Sequence, residues 1–240
     1  MPIHISDGQI IIPGELIAEG SYEISGPHFS RGKKFYSKVL SVTVIEKPKK
    51  IRLIPIKRCY IPSEGDLIIG KVIDVGPTYW LVDINSPYTA ILQVSEIFPR
   101  PTSHQKDLSS IFRVGDLLAA KVLLFDFTHD PLLTMKESRL GRVEKGLLVE
   151  VSPARVSRVI GKRGQVVNYL KEAFNVEITV GRNGRIIVIG EEADLEASAA
   201  YVIKRLCEEH YVADPLEEVK KLANLVLGSK GVENGDRNEN

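Results

Sequence analysis

The 240-residue chain contains two cysteines, two methionines and one tryptophan, and aromatic residues make up only 7% of it. Cys59 and Cys207 lie far apart and form no C-x-x-C, so neither a disulfide framework nor a zinc site is indicated. Long hydrophobic runs are missing. Stretches such as 147–149 and 186–189 are strand-sized, far short of the ~20 residues of a membrane helix. Asp7, Gly8 and Pro13 stand where a signal peptide would have a basic start and an apolar core, so an intracellular, cytoplasmic protein without membrane association is expected. Catalytic signatures are also lacking: there is no H-E-x-x-H, no G-x-x-x-x-G-K phosphate loop and no G-x-S-x-G. His4, His28, His104, His129 and His210 are scattered without metal-ligand spacing, and Asp126 and Asp130 beside His129 read as a solvated hairpin. The expectation is a protein that is not an enzyme, with no cofactor, no metal and no small-molecule substrate.

What is present is an ordinary globular composition, 43% hydrophobic and 26% charged. The net charge of +1 conceals opposing blocks. Residues 1–59 hold ten Lys/Arg and five Asp/Glu, and residues 60–140 hold seven and ten. Residues 141–190 hold nine and four, and residues 191–240 hold six and twelve. Two basic blocks within a neutral chain point to localised anionic contacts, not to a generally sticky surface.

The pattern along the chain gives four parts. Residues 1–59 carry short β-branched runs punctuated by turns such as Pro13-Gly14 and Gly26-Pro27, with clear strands at 38–45 and 51–56, and read as a small all-β domain. Residues 60–140 hold five short strands, at 67–75, 79–84, 90–94, 117–125 and 132–136, interrupted at 98–110, which suits a five-stranded OB barrel. Residues 141–227 change period. A strand at 146–151 is followed by Ser152 as a helix N-cap with Pro153 behind it, and a short helix at 154–160 stops at Gly161. A second helix begins after Gly164, with Val166, Val167, Leu170 and Phe174 on one face. Strands at 176–180 and 185–189 flank Gly181-Arg182-Asn183-Gly184, whose Asn-Gly is a strong hairpin signal. A long helix at 193–208 follows, then one more, capped by Asp214 and ended by Gly228. Residues 228–240 are polar and read as a disordered tail.

The informative motif is Ile160-Gly161-Lys162-Arg163-Gly164. Two glycines let the backbone turn sharply between helices and present N–H groups beside a helix N-terminus, where phosphates bind, and Lys162 and Arg163 add charge at the same place. Arg158 and Arg155 lie about one and two turns upstream. A G-x-x-G between two helices, inside a β-α-α-β-β-α order, resembles the KH domain of type I, which clamps a short stretch of nucleotides. The second G-x-x-G, from Gly181 to Gly184, is explained as a hairpin turn.

The middle block resembles the S1-type OB module, through Glu64-Gly65-Asp66-Leu67-Ile68-Ile69-Gly70-Lys71-Val72, Val82-Asp83-Ile84, Ser95-Glu96-Ile97 and Val114-Gly115-Asp116. Such barrels stack bases on aromatics beside basic side chains. Here the usual stacking aromatic falls on Leu81, the usual His on Gln93 and a third aromatic on Val75. Tyr79 and Trp80 are possible substitutes, but strand alternation points them to opposite faces, so one belongs to the core. Lys71, Arg100, Lys106, Arg113 and Lys121 are the candidate phosphate contacts of the barrel.

An N-terminal β domain, then an S1 barrel, then a KH domain resembles the cap subunits of the archaeal and eukaryotic RNA exosome, over residues 5–225. Ile12-Pro13-Gly14-Glu15, Glu64-Gly65-Asp66 and the intact Gly161-Lys162-Arg163-Gly164 carry the resemblance, and the last favours the archaeal kind. The resemblance implies a non-catalytic RNA-binding subunit, three copies to a ring of RNase PH-like subunits, docked through residues 1–59. It also implies capture of single-stranded, poly(A)-rich RNA and its threading into the ring for 3′-to-5′ degradation. Two other readings remain: a translation or transcription factor built from OB and KH modules, or a fragment of a polynucleotide phosphorylase-like enzyme, in which KH precedes S1.

Overall fold

The computed structural model describes residues 2–47, 49–56, 58–97, 108–209, 212 and 214–233. It divides into two compact units, Met1–Arg58 with Glu209–Ala213, and Cys59–Glu208 with Asp214–Asn240.

The first unit is all β. Strands β1 (Ile10–Ile11), β6 (Ser41–Lys47), β7 (Lys50–Pro55) and β3 (Glu23–Ser25) form one sheet in that order. Strands β2 (Leu16–Glu19), β5 (Lys34–Ser37) and β4 (His28–Arg31) form another. Alternation sends Ile11, Ile17, Ile51 and Leu53 into a common core. The pairing of β3 with β7 is parallel, a long-range choice that local spacing does not announce.

The second unit begins with a closed barrel. Strands β8 (Leu67–Val75), β9 (Tyr79–Asp83), β10 (Thr89–Gln93), β12 (Leu132–Thr134) and β11 (Leu117–Leu124) pair in a ring, β10 with β12 in parallel and the rest antiparallel. This is the OB arrangement expected for the middle block. Strand β13 (Gly141–Val143) adds to β11 on the same sheet. The barrel core is Ile68, Val72, Trp80, Val82, Leu92, Leu118 and Leu133, all but fully buried. The stretch expected to interrupt the strands lies largely at 98–107, outside the described residues, and resumes as a short turn at Leu108–Ser110.

The α+β part of this unit has the KH order. Strand β14 (Leu147–Glu150) leads through a 3-10 turn to helix α1 (Val156–Ile160), the 161–164 loop and helix α2 (Gln165–Phe174). Then come β15 (Val176–Val180), β16 (Arg185–Gly190), helix α3 (Ala193–Glu208) and helix α4 (Pro215–Glu233), with an antiparallel sheet ordered β14-β16-β15. Val166, Leu170 and Phe174, spaced four apart, form the buried stripe of α2. Two local expectations are corrected. Ser152 does not cap α1: the first turn is 3-10, and the buried Ser152 hydroxyl has no hydrogen-bond partner. Helix α4 also does not stop at Gly228 but runs on to Glu233, because one glycine costs a helix only about 1 kcal/mol unless a left-handed cap forms there. Asp214 does cap that helix, accepting the Leu216 N–H at 3.0 Å.

Candidate nucleic-acid interface

The 161–164 loop has a backbone only its two glycines allow. Gly161 sits at φ 72°, ψ −179°, a region essentially reserved for glycine. A Cβ there would lie 2.4 Å from Cγ2 of the buried Val166. Gly164 is left-handed at φ 80° and opens α2. Between them Arg163 is left-handed at φ 53°, and both Lys162 and Arg163 are exposed. Among the described residues neither cation has an ion-pair partner. The loop therefore offers two unneutralised charges beside the first turn of a ten-residue helix, where N–H groups and dipole favour an anion.

The flanking arginines do not join it. Arg155 is only 4% exposed and faces Cys207, and burial lowers its pKa from the ordinary guanidinium value, so it is removed from the RNA-contact set. Arg158 donates to the Leu206 carbonyl at 3.0 Å, tying α1 to the last turn of α3. Helical spacing placed both near the loop, but packing against α3 turned them inward.

On the barrel, alternation along β9 separates Tyr79 from Trp80 as expected, and it decides between them. Trp80 is fully buried, with its indole N–H donated to the carbonyls of Leu108 (3.3 Å) and Phe112 (3.2 Å) and its ring edge-on to Phe112. It offers no face to a base and leaves the candidate set. Tyr79 is half-buried and lies over Gly76, beside a shallow cavity of about 390 Å³ lined also by Ile91, Gln93 and Ser95. Leu81 and Ile91 pair across the outer face, so the position where the S1 pattern has its stacking ring is aliphatic here. Lys71 is exposed and lies opposite Asp83. Lys121 is neutralised by both carboxylate oxygens of Glu137, at 2.6 and 2.7 Å. Arg113 is exposed, with its backbone N–H held by Asp116. Arg100 and Lys106 lie outside the described residues. The candidate residues thus divide into a KH loop that stands open and a barrel face with few unpaired cations.

Two features were not anticipated. The first is the tip of the β15–β16 hairpin. Its connection is not the two-residue primed turn that Asn-Gly favours: only Gly184 is left-handed, at φ 85°. The tip docks on the barrel. The fully buried Asn183 donates to the carbonyls of Ile69 (2.7 Å) and Ile84 (2.9 Å) and accepts the Ile69 N–H (3.3 Å). Asn85 donates back to the Asn183 carbonyl at 2.9 Å. Arg185, 8% exposed, bonds the Asp83 carboxylate, the Asp83 carbonyl and Glu150. Burial alone would raise the Asp83 pKa, but the Arg185 hydrogen bond, the Asn85 N–H and the nearby positive charges outweigh it and hold the carboxyl below its usual value. Ile69, Ala119 and Ile187 fill the apolar part of this seam. The second G-x-x-G is therefore the joint between modules, not a plain turn. The second feature is an aromatic cluster at the β11–β12 loop: the rings of Tyr88 and Phe125 lie 4.8 Å apart and those of Phe125 and Phe127 4.7 Å apart. The alternation of Phe125-Asp126-Phe127-Thr128 is its only local sign.

A closed five-stranded barrel joined to a KH module with an open G-x-x-G loop, after a separate β unit, defines a multi-domain RNA-binding protein. Comparison with known proteins agrees in every part. Residues 8–57 match the N-terminal domain of the exosome RNA binding protein RRP4, residues 59–123 the RRP4 S1 domain, and residues 146–194 the KH domain. The exosome complex component Rrp4 of Thermofilum pendens is 44% identical over 95% of this chain and 97% of its own. Those of Aeropyrum pernix and Methanobrevibacter smithii are 38% and 35% identical, over 89% and 94% of this chain and 92% and 74% of theirs. A crystal structure of a provisionally described exosome complex RNA-binding protein superposes with a TM-score of 0.68 at 40% identity, covering 73% of this chain and 99% of that one. The chain belongs to the Rrp4 family of archaeal exosome components. It is an RNA-binding component with S1 and KH domains, not a catalytic one. Among the described residues no three His, Cys, Asp or Glu side chains converge on a metal position, and no helix is long and apolar enough to cross a membrane.

Proposed function

We propose that this chain captures single-stranded RNA, including poly(A)-rich 3′ ends, and delivers it in the cytoplasm to a ring of RNase PH-like subunits for 3′-to-5′ degradation, with three copies on each ring. The open 161–164 loop carries this reading: its two exposed cations flank a helix N-terminus and compete with no carboxylate among the described residues. Lys71, Arg113 and Tyr79 on the barrel extend the RNA path. Docking falls to the first unit, where Ile10, Ile12 and Leu40 are all strongly exposed for aliphatic side chains.

The test is the salt dependence of RNA binding. Lys162→Asp with Arg163→Asp is expected to weaken binding to oligoadenylate and to lower the slope of log affinity against log salt by about one for each phosphate no longer neutralised. A slope equal to that of the unaltered chain would reduce the loop to a structural turn. Native co-purification tests the partner: recovery of ribosomes or RNA polymerase without ring nucleases would overturn the exosome reading.

A further inference from the structure

We infer that Asn183-Gly184 is a latent modification site: its amide is shielded from deamidation while the hairpin tip sits on the barrel, reacts when the tip opens, and leaves a residue that keeps the tip from docking again. The only co-reactant is water.

An asparagine followed by glycine suits this chemistry. The Gly184 nitrogen attacks the side-chain amide carbon of Asn183, and a C–N bond forms. The side-chain nitrogen departs as ammonia, carrying the proton that Gly184 gives up. Water then opens the cyclic imide at either carbonyl, leaving aspartate or its β-linked isomer, and nothing is oxidised or reduced. Glycine has no Cβ to crowd the attacking nitrogen.

The docked tip blocks both reacting groups. The amide is fully buried and pinned by the Ile69 carbonyl (2.7 Å), the Ile84 carbonyl (2.9 Å) and the Ile69 N–H (3.3 Å). Closing the imide must turn it away from all three. The attacking nitrogen is engaged as well, its N–H donated to the Gly181 carbonyl at 3.2 Å, while the Arg182 N–H holds the tip to the Leu67 carbonyl at 2.8 Å. The reaction therefore waits for local opening.

The product cannot restore the joint. A carboxylate at this position has no proton to give the Ile69 and Ile84 carbonyls, so it would face two buried oxygens with its own negative charge. Asp83 on the same seam already carries one carboxylate, held by Arg185. The β-linked isomer adds a backbone atom just before Gly184, whose carbonyl is bound by the Val151 N–H at 2.8 Å and where even a Cβ would strike the Val151 carbonyl oxygen. Each conversion is an irreversible record that the joint has opened.

The full chain is incubated below its melting transition and, at the same pH and temperature, in guanidinium chloride. Peptide mapping by mass spectrometry reads conversion at Asn183 apart from that at Asn234-Gly235, the other Asn-Gly of the sequence. Each buried hydrogen bond shifts the opening equilibrium by about a factor of five, so Asn183 is expected to react roughly a hundredfold more slowly in the native chain. Hydrogen exchange of the Ile69 N–H, which is bound to the Asn183 amide, should show protection of the same order. Asp83→Ala frees Arg185 but leaves both reacting residues in place, and is expected to raise the native rate about fivefold without changing the denatured one. Gly161→Ala, destabilising but remote from the seam, should leave the native rate unchanged. Asn183→Asp, the product made genetically, should melt below Asn183→Ala. Equal native and denatured rates would overturn the shielding, and an equal rise in Gly161→Ala and Asp83→Ala would tie the reaction to global unfolding and overturn the local site. An Asn183→Asp chain melting with the unaltered one would overturn the block on redocking. None of these results touches RNA capture, which stands on Lys162 and Arg163.

Discussion

Replacing Asn183 by alanine isolates the joint between the barrel and the KH module. The side chain is fully buried and serves three backbone groups of the barrel: the Ile69 carbonyl, the Ile84 carbonyl and the Ile69 N–H. Alanine fits the backbone, since Asn183 is not left-handed, so the loss is confined to the amide. Each buried group left without its partner costs about 1 kcal/mol or somewhat more, which makes the total roughly 3 kcal/mol. For a chain of this size that is a drop in melting temperature of about 6–12 °C. Circular dichroism melts of the full chain measure it. Arg182→Ala is the matched control one residue away: its side chain is 56% exposed and 3.9 Å from Asp66, so its removal should cost less than about 0.5 kcal/mol. If the two variants melt together, water reaches the Asn183 amide and the hairpin tip does not hold the modules in register.

Two further outcomes follow from the same geometry. Gly161→Ala should cost about 2–4 kcal/mol, because it combines a glycine-only backbone with a Cβ driven into Val166, whereas Gly164→Ala, whose nearest neighbour would be 3.8 Å away, should cost only about 1–2 kcal/mol. Equal melting temperatures for the two would refute the assignment of separate roles. The depressed Asp83 carboxyl also makes the joint acid-sensitive. A carboxyl whose folded pKa lies below its unfolded value of ~3.9 stabilises the fold above that value and loses the contribution as pH falls through the folded one, so stability should decline below about pH 4. Asp83→Asn should flatten that part of the melting-temperature profile; profiles that stay parallel would remove Asp83 from the account.

The KH module was the most legible part of the chain because its signals are local. Glycines bracket the loop, a four-residue apolar stripe marks α2, and the limits of α3 at Ala193 and Glu208 are visible in the alternation of charge and aliphatics. The barrel strands were legible for the same reason, and so was the opposition of Tyr79 and Trp80, which depends only on the two-residue period. What escaped depends on residues distant in sequence. Arg155 looks like one more cation in a basic block until α3 folds over it. Asn183 looks like a turn residue until the barrel supplies the carbonyls of Ile69 and Ile84. Tyr88 meets Phe125 only because closure of the barrel sets β10 beside β12.

The docked hairpin also changes how a bound strand would be held. Modules joined by a flexible linker must lose freedom each time both engage one RNA, and the second engagement is then governed by the linker's reach. Here the distance between the 161–164 loop and the barrel face is set by buried hydrogen bonds to Asn183 and Arg185. The molecule acts as a gauge of fixed span. A strand long enough to bridge that span occupies both sites at the cost of ordering itself alone, and one even slightly shorter occupies a single site. Affinity should therefore rise with RNA length in a step and not as a slope.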